Sequence, residues 1–159
     1  MKSPMSLPET SLNILLINEH PDEIKLISSG LREFFSGCRI EAGYSSEEAL
    51  TFSQRNEWHI ILIDQDLRPE NGLNILAPLR RHAPNAAIIL QTDHSDSQTA
   101  VQALQSGADF LLFKNSPGFL TELLFYVQEA VEKHDLQMKL DRTFQRHLRV
   151  VETLSDILY

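Results

Sequence analysis

Three short aliphatic runs constrain this chain more than anything else in it: "NILLIN" (13–18), "HIILID" (59–64) and "AAIILQT" (86–92). None alternates apolar with polar residues. Strands made from them must be covered on both faces, as strands inside a parallel sheet are. The stretches between carry helical spacing. "PDEIKLISSGLREFF" (21–35) opens on Pro21 and acids, sets Ile24, Ile27, Leu31, Phe34 and Phe35 on one stripe, and is stopped by Gly37. "SSEEALTFSQRN" (45–56) predicts a helix with Ser45 or Ser46 as N-cap and acids in its first turn. "GLNILAPLRRH" (72–82) is helical in pattern but holds Pro78, and "SDSQTAVQALQSG" (95–107) closes on Gly107. "CRIEAG" (38–43) reads as an outer strand and "DFLLFK" (109–114) as a fifth strand, and a long helix starts near Phe119. Five strands alternating with five helices, joined by right-handed crossovers, predict an α/β fold. It is a doubly wound five-stranded parallel sheet with an extended C-terminal helix.

Ligands of such sheets sit outside the carboxyl ends of the strands, beside the topological switch point. Strand one ends in Asn18, Glu19 and His20, strand three in Asp64, strand four in Thr92 and Asp93, and strand five in Lys114. Acids, a hydroxyl and an ammonium therefore meet on one rim. The acids can hold a hard cation through oxygen. Asp64 can attack phosphorus as a carboxylate nucleophile, while Lys114 neutralises a phosphoryl oxygen and Thr92 donates a hydrogen bond. Each residue also has an ordinary reading: a strand-end acid, a strand-end threonine, a solvated lysine, two turn residues. His20 and His94 lie near the same rim, where they are either transition-metal ligands with Glu19 or exposed turn histidines.

Four segments in order, "ILLINEHPD", "IDQDLRPENGL", "IILQT" and "SGADFLLFK", resemble the receiver domains of two-component response regulators over roughly residues 12–133. Gly72 lies eight residues past Asp64, and Lys114 twenty-two past Thr92, which are the family's spacings. The resemblance implies a flavodoxin-like receiver fold with Asp64 as phosphoacceptor. It puts Glu19 and Asn18 at a Mg²⁺ ion that the backbone carbonyl of Asp66 completes, and it has Thr92 and Lys114 read the phosphoryl group. A histidine kinase or phosphotransfer protein is then the partner.

The departures carry their own expectations. Asn18 stands where the family has an acid and Glu19 is a methylene longer than the usual Asp, so Mg²⁺ should bind weakly. Arg68 takes the place of a proline that arrives one residue late as Pro69. Asn115 follows Lys114 where the family has proline, so the family's cis bond should be lost there, because a cis non-proline bond costs about 3 kcal/mol. Leu111 occupies the position of the aromatic switch residue. Two further readings remain open: a degenerate receiver that only binds proteins, and a hydrolase of the haloacid dehalogenase type suggested by "DQD". The latter motif belongs on a first strand, and here two strands precede it.

Past Gly118 there is neither Gly nor Pro. Leu120, Leu123, Leu124, Val127 and Val131 dock the last helix on the sheet, and the polar "EKHDLQMKLDR" (132–142) carries it out of the domain. Leu140, Phe144, His147, Val151, Leu154 and Leu158 then follow four-three spacing, a coiled-coil seam that predicts a homodimer through residues 134–159. His147 is read as a seam or surface residue. The final "LRVVETLSDILY" is similar to the lead-in of a PAS sensor domain, implying a longer parent regulator. Residues 1–11, with Pro4 and Pro8, read as a disordered leader. A net charge of −8 without a basic run argues against direct binding of nucleic acid or anionic membrane, and the single cysteine, Cys38, excludes an intrachain disulfide. No segment has the apolar length of a membrane span, and a cytoplasmic location is expected.

Overall fold

The computed structural model describes residues 12–94 and 96–158, with side chains of the last helix as far as residue 149. The expected leader at 1–11 and the seam side chains Val151, Leu154 and Leu158 lie outside the described residues. Five parallel strands form one sheet: β1 (Asn13–Ile17), β2 (Arg39–Gly43), β3 (Ile60–Asp64), β4 (Ala87–Thr92) and β5 (Phe110–Phe113), in the order β2-β1-β3-β4-β5. The helices are α1 (Pro21–Phe34), α2 (Ser46–Ser53), α3 (Leu76–His82), α4 (Ser97–Ser106) and α5 (Phe119–Leu158).

The non-alternating runs do what their composition requires. Odd positions Leu15, Ile17, Ile61 and Ile63 pack on Ala49, Leu76, Leu79 and Ala103 of α2, α3 and α4. Even positions Ile14, Leu16, Ile60 and Leu62 pack on Ile24, Ile27 and Leu31 of α1 and on Leu123, Val127 and Val131 of α5. Each such aliphatic contributes roughly 1.5–3 kcal/mol by leaving water, and Ile61→Ala would leave a cavity on the first of these faces. "CRIEAG" is an edge strand, as its weak alternation suggested, with Arg39 exposed.

Boundaries differ from the expectation in three places. The 72–82 pattern is two elements, a 3₁₀ turn at Gly72–Ile75 and then α3. Pro78 is the third residue of α3, where a backbone N–H has no intrahelical partner to lose. The helix predicted over 45–56 is shorter, and Ser45 is its cap: Glu48 N donates to Ser45 Oγ at 3.1 Å, and Glu48 Oε1 accepts from Tyr44 N at 2.9 Å. Ser46 Oγ accepts instead from Glu70 N at 2.9 Å, tying α2 to the loop after β3. The helix predicted over 95–107 is also shorter: Asp96 caps α4, and Gly107 ends it at φ 120°, a backbone conformation that favours glycine.

Candidate functional site

Register builds the site. Ile17 pairs with Ile63 and Asp64 with Gln91, so the ends of β1, β3 and β4 come level on one rim. The rim includes the crevice between β1 and β3, the strands at which the order reverses. Asp64 is fully buried there. Its Oδ2 accepts from Lys114 Nζ at 2.7 Å and its Oδ1 from Asp66 N at 3.0 Å. Lys114 is delivered by the turn after β5, where its own N–H donates to Thr92 O at 3.0 Å. Burial pushes the Asp64 carboxyl up, and the Lys114 ammonium and the Asp66 N–H oppose it. Burial is also the largest influence on Lys114 and pulls it down. Asp64, Glu23 and Asp93 outweigh it and hold the ammonium above the ordinary lysine value, and the 2.7 Å contact makes a salt bridge with Asp64.

The loop behind Asp64 folds back tightly. Gly72 N and Leu67 N both donate to Gln65 O, at 2.8 and 3.0 Å. A Cβ at Gly72 would lie 2.2 Å from the Asp64 carbonyl oxygen, so only glycine closes this loop without moving the acid. Among the described residues the cis peptide bond is Arg68–Pro69, in this same loop, and Lys114–Asn115 is not cis.

The remaining site residues face elsewhere than at Asp64. Buried Thr92 donates its hydroxyl to Gln65 Oε1 and accepts from His94 N at 2.9 Å. Glu19 is gripped by Arg68, whose Nε and second guanidinium nitrogen donate to its two oxygens at 3.1 and 3.2 Å. That fork holds the Glu19 carboxyl below its usual value. Asn18, buried beside Asp64, accepts from His20 N at 2.8 Å through Oδ1 and donates through Nδ2 to Glu23 Oε2 at 2.6 Å. The same Glu23 oxygen lies 3.6 Å from Lys114 Nζ. Sequence reasoning missed Glu23 and Gln65. Glu23 read only as one of the acids that open α1, and Gln65 carried no signal beyond adjacency to Asp64. His20 and His94 are exposed, and among the described residues no three His, Cys, Asp or Glu side chains gather as a metal cluster. Leu111 is half-buried and packs on the α2–α3–α4 face of the core.

Residues 14–124 match the family model of the response regulator receiver domain. The chain is 29% identical over 134 residues to the alginate biosynthesis transcriptional regulatory protein AlgB of Pseudomonas syringae pv. tomato, covering 84% of this chain and 29% of that one. It spans less than a third of the length of the curated AlgB relatives it matches. The solved response regulator receiver domain protein (CheY-like) of Methanospirillum hungatei has a TM-score of 0.73 at 19% identity, over 80% of this chain and 99% of that one. A Burkholderia pseudomallei response regulator, solved with a phosphorylated aspartic acid, calcium ion and citrate, has a TM-score of 0.66 at 24% identity, over 85% and 75% of the two chains. These two likenesses are likenesses of fold. The family match covers most of the chain, and the chain accordingly belongs to the response regulator receiver domains.

Proposed function

We propose that this chain is a phosphoacceptor switch in the cytoplasm, and that Asp64 takes a phosphoryl group from a phosphohistidine of a histidine kinase or phosphotransfer protein, with Mg²⁺ alongside. The observation that carries the reading is the Asp64 carboxyl, fully buried at the rim with the Lys114 ammonium 2.7 Å away. An Asp64 oxygen forms a bond to phosphorus, the phosphorus–nitrogen bond of the donor breaks, and its electron pair stays on the imidazole. Lys114 is placed to follow the new charge onto a phosphoryl oxygen. Thr92 has to release Gln65 before its hydroxyl can turn to that group.

The donor set suits a hard cation, because the Asp64 carboxylate and the Asp66 carbonyl both offer oxygen. Mg²⁺ keeps several waters and takes one or two carboxylates, so it does not need a gathered cluster of three. Asp64 and the Asp66 carbonyl would hold it, with Glu19 available only after leaving Arg68. When bound, the ion supplies positive charge against the phosphoryl oxygens. The phosphorylated aspartate and calcium of the Burkholderia protein support this by likeness of fold.

Output runs through α5 in this reading. Leu136, Leu140 and Phe144 are about 60% exposed, a stripe of the sort that a second copy of the helix covers, which supports a homodimer. The transcriptional roles in the relatives' names belong to longer proteins, 29% of whose length is matched in the AlgB of Pseudomonas syringae, and an output domain for this chain is part of the proposal. The test is acetyl phosphate with Mg²⁺ followed by intact mass. Wild type gains one phosphoryl increment and Asp64→Asn gains none. The Arg68 fork on Glu19 favours a second reading, a receiver that binds partners without phosphorylation, and wild type that stays unmodified at every Mg²⁺ concentration decides for it.

A further inference from the structure

We propose that Glu23, on the first turn of α1, is the second acid of the cation site and supplies there the charge that Asn18 lacks. The inference rests on the reading of Asp64 as a cation-assisted phosphoacceptor. Asn18 is only 2% exposed, and its orientation is fixed by a backbone donor: His20 N needs an acceptor and takes Oδ1 at 2.8 Å. Its amide nitrogen is then left as the donor, and what it meets at 2.6 Å is Glu23 Oε2. That oxygen lies 3.6 Å from Lys114 Nζ, and Asp64 Oδ2 lies 2.7 Å from the same atom. Two carboxylates thus share one ammonium. Asp64 against Lys114 alone is formally neutral and attracts a divalent ion only weakly. Glu23 makes the group net negative, and cation affinity follows the number of charged ligands.

The acid that the strand-one turn does carry, Glu19, is already engaged. Arg68 holds both of its oxygens in a planar fork, the strongest geometry a guanidinium offers a carboxylate. The plain role for Glu23 is to face the positive end of α1, and Asp22 in the same turn does that as well while remaining exposed. Glu23 is the one that turns inward. Asn18 and Glu23 therefore act as a matched pair. A donor amide at 18 holds an acid that reaches in from 23, whereas two acids at these positions would repel each other at that distance.

The test is calorimetric titration of Mg²⁺ into the full chain and four variants, each first checked for its native circular dichroism spectrum. Glu23→Gln is expected to weaken binding by about tenfold or more, Asp64→Asn likewise, and Glu19→Gln to change it less than twofold. Exchanging the pair, Asn18→Asp with Glu23→Gln, returns the acid to the strand end and is expected to recover most of the affinity. Wild-type binding that Asp64→Asn weakens and Glu23→Gln leaves untouched overturns the role of Glu23 and leaves Asp64 standing as acceptor. A wild type that binds no Mg²⁺ overturns both.

Discussion

Lys114 is where single-residue energetics are most exposed to test. It is the cation of a buried carboxylate, and removing one partner of such a pair leaves the other charge without compensation. Lys114→Met is expected to lower stability by about 3 kcal/mol in urea titration, since Asp64 and Glu23 lose their common ammonium together. Asp64→Asn is expected to cost much less, because Asn can still accept from Asp66 N and Glu23 keeps Lys114. Equal losses in the two variants would mean that the ion pair is not what holds this rim. The acid and the lysine were legible in the sequence because each ends a strand, and parallel strand ends meet. Where Thr92, Glu19 and Asn18 direct their polar atoms was not legible. Those choices depend on Gln65, Arg68 and Glu23, which come from other turns of the chain and have no spacing to betray them.

At the scale of elements, the start of β3 gathers polar contacts of its own. His59 precedes it and its Nδ1 accepts from Asn13 N at 3.0 Å, so the ring is neutral with its proton on Nε2. The ring meets His134 edge-on at 4.9 Å, just where α5 leaves the sheet, beside a cleft of about 730 Å³ that Trp58 and Met138 also line. Burial, then His134, pushes His59 below its usual value, against the pull of Glu57 and Asp135. The unfolded chain binds this proton more readily than the folded one, so stability should fall as pH drops below about 6.5. Thermal midpoints at pH 7.5 and 5.5 should differ more in wild type than in His59→Gln, and identical differences would remove His59 from the explanation. Trp58 at this end also means that its fluorescence is no reporter for a cation at Asp64. The strands were legible from their unbroken apolar runs, and the division of 72–82 was not, since a proline in a first turn looks in sequence like one in mid-helix. Arg80 was invisible too. Its guanidinium reaches the carbonyls of Ala86 and Gly107, both at 2.6 Å, and Asp109, also at 2.6 Å, joining the starts of β4 and β5.

For the whole molecule the question is what α5 does beyond the sheet. Docking by Leu123, Val127 and Val131 ends where exposure of Leu136, Leu140 and Phe144 begins; the seam read from the sequence starts at Leu140 and leaves Leu136 in the polar exit. The full chain is expected to sediment as a dimer at concentrations where a chain ending at Lys133 runs as a monomer. Two monomers at high concentration would reduce the tail to a spacer. The length of α5 has a mechanical consequence. Its 40 residues make a rod of about 60 Å, and its first residue lies five places after Lys114 across a turn closed by Ser116 N to Phe113 O and Phe119 N to Ser116 O. A lever of that arm carries each degree of tilt at its base to its far end as a swing of about 1 Å. A change at Lys114 too small to disturb the sheet would thus arrive at the tip as a displacement large enough to move a neighbouring side chain out of contact.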